Sequence, residues 1–289
     1  MILVTGATGR VGYRLMEALA DARADVTAMV RVDARAADLP GTPGHVVASF
    51  DDPPEAEVLR GFDRVFLLSP ADEEQVGLET VFIDALVAAG HRPHVVKIVA
   101  DGFQDPGCEV RFMRSHREIA RHLDATGLPV TYVAAATYME NLLAAAEGIE
   151  KYGVIAAPAG HGRVGFVAVG DVAAVAAAVL TGTGQEGETY VVTGPESLGV
   201  AKVAARVSAV FARKVDYEDQ PPERALEGML AAGMDRWQAE GMLELFGWIR
   251  EGGADTVTST VRELTGAEPQ ALDDWLAESR AIFLEPRGL

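Results

Sequence analysis

The chain has 289 residues, 49% of them apolar, and a formal net charge of −18. That length holds one large or two modest domains around a proper core. The acidic balance excludes a nucleic-acid surface, which needs clustered Lys and Arg. No run of about 18 uncharged apolar residues occurs, so no membrane span is expected. Met1 leads straight into an apolar run, leaving no room for a signal or transit peptide. Cys108 is the only cysteine, so an internal disulfide is excluded and a reducing, cytoplasmic setting is expected.

The first twelve residues read MILVTGATGRVG. Ile2, Leu3 and Val4 suit one buried parallel strand. Gly6 permits a tight turn off it, Gly9 lets the backbone approach a pyrophosphate, and Gly12 lets the next helix pack closely against the strand. The N–H groups at the helix start then face the phosphates, where the helix dipole favours negative charge. Gly6, Thr8, Gly9, Arg10, Val11 and Gly12 are therefore the expected dinucleotide-binding loop. Its strand–turn–helix context is what makes the glycine spacing specific.

Beyond the loop, Arg10–Ala22 is expected as a helix with Val11, Leu15, Ala18, Leu19 and Ala22 on its apolar stripe. Asp25–Val30 reads as the second strand. Residues 32–44, charged and then rich in Pro and Gly, suit a short helix and a loop. His45–Ser49 is a third strand, and Pro53–Arg60 a helix with proline near its first turn. Asp63–Leu68 is a fourth strand and Glu73–Ala89 a long amphipathic helix closed by Gly90. His94–Val99 is a fifth strand, Glu109–Ala125 a helix ending near Gly127, and Val130–Ala134 a sixth strand.

Such alternation implies a doubly wound parallel sheet of the Rossmann type. It fades after about residue 150. Residues 151–165, rich in Gly, Ala and Pro, read as a crossing segment. Val172–Leu180 follows as an Ala/Val helix, and Thr189–Val192 as a strand. The region from Val200 onward reads as mainly helical. The expected fold class is thus α/β, with a Rossmann domain over 1–150 and a smaller, mainly helical substrate lobe over 151–289, the two interleaved. Trp237, Met242, Leu245, Phe246 and Trp248 are expected to form a small hydrophobic core there. Ala- and Val-rich helix faces would suit a homodimer.

At the end of the second strand, an acid would bind a ribose 2′-hydroxyl, whereas an Arg accommodates a 2′-phosphate. Arg31 stands at that point, with Arg10 in the loop, so NADP(H) is favoured over NAD(H). Asp33 is the competing signal. Leu68, Ser69 and Pro70 leave the fourth strand at its carboxyl end, where such sheets hold ligand. Val99, Ala100 and Asp101 are expected beside the nicotinamide half.

TGATGRVG, DRVFLLSP, HVVKIV, TYMENL and VGDVAAVAAAVL together resemble the NmrA-like family of atypical short-chain dehydrogenase/reductases. The likeness runs over nearly the whole chain. It implies an NADPH-dependent reductase of the quinone-reductase branch, with Tyr138, Glu140 and Asn141 matching positions beside nicotinamide and substrate. It also matches His116 and Glu118 to a helix position carrying a His and an acid. Three departures stand out: Val99 and Ala100 where many members have Ser, Ala134 and Ala135 in place of an Arg-Pro pair, and Ala120 in place of an acid.

No tyrosine has a lysine four residues later, so the usual Tyr-x-x-x-Lys proton transfer is excluded in that spacing. Tyr138 reads equally as a proton or hydrogen-bond donor and as a half-buried packing residue. Asn141 reads as a nicotinamide-amide partner, or else as a cap or surface residue. His116 offers acid–base chemistry near pH 7, although a lone helical His is more often structural. Lys97, inside an apolar strand, is expected to face solvent. Asp101 replaces the missing serine or starts a turn with Gly102. No residue set has metal-ligand spacing, no G-x-S-x-G elbow is present, and Cys108 lies in a loop where exposure would make it reactive.

The function expected is hydride transfer from NAD(P)H to a small quinone, carbonyl or imine. A quinone needs little acid–base machinery, because alignment and water exclusion suffice. The alternatives are a non-catalytic NADP-sensing protein and a non-redox cyclase or epimerase.

Overall fold

In the computed structural model, residues 1–41 and 43–284 are described. Thr42, within the loop expected over 32–44, and residues 285–289, at the end of the expected helical region, lie outside the described residues. β1 (Ile2–Val4) pairs in parallel with β2 (Val26–Val30) on one side and β4 (Arg64–Leu67) on the other. Between β1 and β2 runs α1 (Arg10–Asp21). The chain then adds β3 (Gly44–Val47), the short α2 (Ala56–Leu59), β4, α3 (Gln75–Ala88), β5 (His94–Ala100), α4 (Arg111–Ala125) and β6 (Val130–Ala135). The sheet has seven strands in the order β3-β2-β1-β4-β5-β6-β9, where β9 is Thr189–Val192. Strand order reverses between β1 and β4, and ligands of such sheets bind at that switch point.

Alternation along the strands sorts side chains onto two faces. Ile2, Val4, Val30, Phe66, Ile98 and Val133 face α1 and α6 (Val169–Thr181). Leu3, Met29, Leu67, Val95, Val99 and Tyr132 face α3 and α4. Each fully buried apolar side chain of this kind contributes about 1.5–3 kcal/mol. The Rossmann unit thus draws α6 and β9 from beyond residue 150. The Ala/Val-rich α6 spends its faces inside the chain, against α1 and α10 (Thr260–Thr265).

The second lobe is built from α5 (Ala146–Tyr152), β7 (Val154–Ala157), β8 (Arg163–Val164), β10 (Leu198–Gly199), α7 (Val200–Phe211), β11 (Asp216–Asp219), α8 (Pro222–Ala231), α9 (Arg236–Arg250) and α11 (Leu272–Leu284). Ile149, Ile155, Phe166, Val207, Trp275 and Phe283 belong to its core.

Four expectations are corrected. The segment 151–165 is more than a crossing: β7 pairs in parallel with β11, and β8 runs antiparallel to β10. Those partners arrive far later in the chain, so local composition cannot reveal them. Pro53 and Pro54 precede α2, because the backbone stays extended through Glu55 (ψ 148°) and the helix opens only at Ala56. α3 is not amphipathic: Val81 and Val87 are exposed while Gln75 and Glu79 are buried. Lys97 does not face solvent. It is wholly buried and paired with Glu79.

Among the described residues, no helix is long and apolar enough to cross a membrane, and no group of three or more His, Cys, Asp or Glu side chains could hold a metal ion. Cys108 is buried beside Val110 and Met113, and burial pushes its thiol up.

Candidate functional site

The switch point is stitched by a residue absent from the expected site. Thr5 is fully buried, and its Oγ1 donates to Phe66 O at 2.9 Å and accepts from Leu68 N at 2.9 Å. Gly6 turns the chain at φ +61°, where a Cβ would lie 2.6 Å from Leu68 O. A Cβ on Gly12 would lie 2.1 Å from Gly6 O, so α1 seats on the loop itself rather than on the strand.

Gly9 is the N-cap of α1, and no side chain caps it. The first helical bond runs from Tyr13 N to Gly9 O at 2.8 Å. The N–H groups of Arg10, Val11 and Gly12 therefore have no intrahelical acceptor. Thr8 and Arg10 are exposed beside them, while the Val11 side chain sits in the core and leaves only its backbone for the loop. These residues fit a pyrophosphate: the donors are uncapped and the glycines keep the approach clear.

Arg31 is exposed directly after β2. Asp33 instead opens a 3-10 turn (Asp33–Asp38), and its Oδ1 lies 2.6 Å from His45 Nε2 on β3. Arg31 and Asp33 thus both stand at the surface by the end of β2, with the acid in contact with His45.

At the end of β4, Leu68 packs on the α1–α6 side, and Ser69 is buried with its Oγ donating to Glu79 Oε1 at 2.7 Å. Pro70 is exposed, and the next carbonyl, Ala71 O, accepts from Gln238 Nε2 of α9 at 3.3 Å. At the end of β5, Val99 points into the α3–α4 layer, so its side chain is withdrawn from the carboxyl edge of the sheet. Ala100 is half-buried against the cluster of Cys108, Val110 and Met113, on which Phe112 and Trp248 also pack. Asp101 starts a turn: its Oδ1 accepts from Gly102 N at 2.9 Å, and burial raises its carboxyl.

The aromatic segment of α9 packs as a core: Leu245, Phe246 and Trp248 all lie against the second core. Trp248 also lies over Gly102, where a Cβ would stand 2.8 Å from its ring, and with Leu245 it packs against the cluster of Cys108, Val110 and Met113. Arg111 fixes this segment through Glu244, with Nη2 donating to Oε1 at 2.7 Å and the backbone N to Oε2 at 2.8 Å. Phe112 meets Trp237 edge to face at 5.4 Å. These residues form an apolar wall above the carboxyl end of β5.

Tyr138 is half-buried at the start of a 3-10 helix (Met139–Ala145), and its backbone bridges Val167. Burial, with the Glu140 charge nearby, raises its phenol well above the ordinary range. It therefore stays protonated at neutral pH. The Glu140 carboxylate accepts from Val169 N at 3.1 Å, which gives it a capping role at α6. Asn141 is exposed. His116 is buried between α4 and the sheet, its Nδ1 without a partner, and burial beside Lys97 holds the imidazole neutral well below its usual pKa. That removes it as an imidazolium acid at pH 7. The structure thus brings the glycine loop, Arg31 and the ends of β4 and β5 to the switch-point edge of the sheet, and puts His116 in the layer beneath.

A reversed-order parallel sheet with an uncapped glycine-loop helix at the switch point defines a dinucleotide-binding α/β protein of the Rossmann class. The model of the NmrA-like family matches residues 1–276, and the chain belongs to that family. It is 37% identical over 98% of its length to a (4-alkanoyl-5-oxo-2,5-dihydrofuran-3-yl)methyl phosphate reductase of Streptomyces griseus, covering 99% of that protein. It is also 32% identical to an NAD(P)H azoreductase of Xenophilus azovorans, over 98% of this chain and 99% of the other. In fold it is similar to the NADPH-dependent quinone oxidoreductase of Escherichia coli solved with NADPH, with a TM-score of 0.88 at 23% identity, covering 96% of this chain and 99% of that one.

Proposed function

We propose that this chain is an NADPH-dependent reductase of small conjugated electrophiles: quinones, azo compounds and activated carbonyls or imines. The observation that carries this reading is the pairing of an uncapped glycine-loop helix and an unengaged Arg31 with an apolar wall lacking any Tyr-x-x-x-Lys pair. Gly6, Gly9 and Gly12 clear the pyrophosphate path, and Arg31 meets the 2′-phosphate. Bound there, NADPH would supply hydride from its nicotinamide C4. The ends of β4 and β5 orient the nicotinamide half, and Trp248 and Leu245 exclude water from above. Tyr138 donates a hydrogen bond from Oη to the accepting oxygen or nitrogen of the substrate. Asn141 meets the nicotinamide carboxamide.

Such electrophiles place little demand on acid–base groups, which agrees with a neutral His116 and a protonated Tyr138. The names of the two curated relatives, a reductase of an unsaturated lactone phosphate and an azoreductase, support the same substrate class. A lone, buried Cys108 agrees with action in a reducing cytoplasm.

The test is loss of NADPH absorbance with a panel of quinones, azo dyes and α,β-unsaturated lactones. Turnover with at least one class is the expected result. Tight NADPH binding with no turnover on any of them would overturn the reading in favour of cofactor sensing.

A further inference from the structure

A buried polar cluster lies in the layer beneath the proposed nicotinamide groove, and no step above uses it. Lys97 sits between Val95 and Val99 on the face of β5 covered by α3 and α4, in register with Leu67 and Tyr132. Its Nζ donates to Glu79 Oε1 at 2.9 Å, and neither side chain has exposed surface. The same Oε1 accepts from Ser69 Oγ at 2.7 Å and from Gln75 Nε2 at 3.5 Å. Glu79 Oε2, Gln75 Oε1 and His116 Nδ1 are buried without a partner.

A stability device would not look like this. An apolar pair of equal volume is usually as stable as a buried ion pair, or more so, and orphaned buried polar atoms each carry a cost. Burial also pushes the Lys97 ammonium down. What the cluster does hold is Ser69, the residue with which β4 leaves the sheet. Ser69 commits its proton to Glu79, and Leu68 beside it is gripped by Thr5.

We propose that Lys97 and Glu79 are a positioning pair, which through the Ser69 hydroxyl fixes the 68–71 segment against the nicotinamide half of the cofactor. The inference rests on the NADPH reading above. Its consequence is selective: the pair acts on the nicotinamide end of the groove and leaves the adenine end, held by Arg31 and α1, untouched.

The experiment compares binding of NADPH with binding of adenosine 2′,5′-bisphosphate, which reports on the adenine end alone. Lys97→Met by itself strands a buried carboxylate and would report misfolding. The informative variants are therefore the apolar pair Lys97→Met/Glu79→Leu, which removes both charges and the acceptor for Ser69, and Ser69→Ala, which cuts only the link. Both are expected to bind the bisphosphate as the unaltered chain does while binding NADPH about tenfold more weakly, the scale of one lost hydrogen-bonded contact. Combined, they should show no further loss, because they break one path. Equal effects on both ligands, no effect on either, or additive losses would overturn the proposal. Failure of the unaltered chain to bind NADPH would instead overturn the reading on which it rests.

Discussion

Thr5 and Leu68, 63 residues apart, are joined by a buried hydroxyl that accepts from the Leu68 N–H and lies 3.2 Å from the Leu68 carbonyl oxygen. The contact locks the ends of β1 and β4 at the point where strand order reverses. Thr5→Val keeps the shape and leaves that N–H unpaired. A loss of about 1–3 kcal/mol in unfolding free energy is expected, together with weaker NADPH binding. Denaturant unfolding with and without NADPH measures both.

The two glycines of α1 and α3 give a contrast. Gly12→Ala drives a Cβ to 2.1 Å from Gly6 O, so the loop must move and NADPH affinity should collapse. Gly77→Ala in α3 meets nothing within 4 Å and should stabilise the fold by about 0.5–1 kcal/mol. Thermal melts and NADPH titrations of the two variants settle the comparison.

Arg31→Ala should weaken NADPH by about 10- to 100-fold, the scale of a charge-assisted hydrogen bond. NADH affinity should hardly change. Equal losses for both cofactors would remove Arg31 from the 2′-phosphate site and return Asp33 to consideration.

Tyr138→Phe should lower kcat and leave the NADPH dissociation constant near its original value. The raised phenol also predicts no tyrosine-linked fall in rate on the alkaline side up to about pH 10. Unchanged turnover would reduce Tyr138 to packing.

His116 and His94 are both held neutral by burial. Each binds fewer protons folded than unfolded, so unfolding takes up protons and stability falls as pH drops below about 6.5. Above that value the contribution is fully present. His116→Gln should flatten part of the slope between melts at pH 7.5 and pH 5.5, whereas an unchanged slope would assign it elsewhere.

Much of the Rossmann half is legible in sequence because its signals are local. The strand–glycine–helix start, the apolar strand runs and the helix stops at Gly90 and Gly127 are written within a few residues of where they act. Arg31 against Asp33 is not legible that way: a shift of the strand end exchanges them, and the contact of Asp33 with His45 comes from another strand. Thr5 carries no local mark either, since a threonine after a strand is ordinary until its partner on β4 is known.

By itself, then, the sequence determined the order of the elements up to β6, the strand–glycine–helix start and the absence of the tyrosine–lysine pair. Tertiary structure alone decided three further matters. It turned Lys97 inward, because Glu79 on α3 compensates a charge that the flanking valines could not. It added β9 to the sheet and paired β7 with β11. It also laid Trp248 over Gly102 and against Val110 and Met113, joining the expected core to the turn after β5. The physical reason is common to all three. Periodicity fixes which face a residue shows, but what that face meets is set by chain that comes much later or earlier.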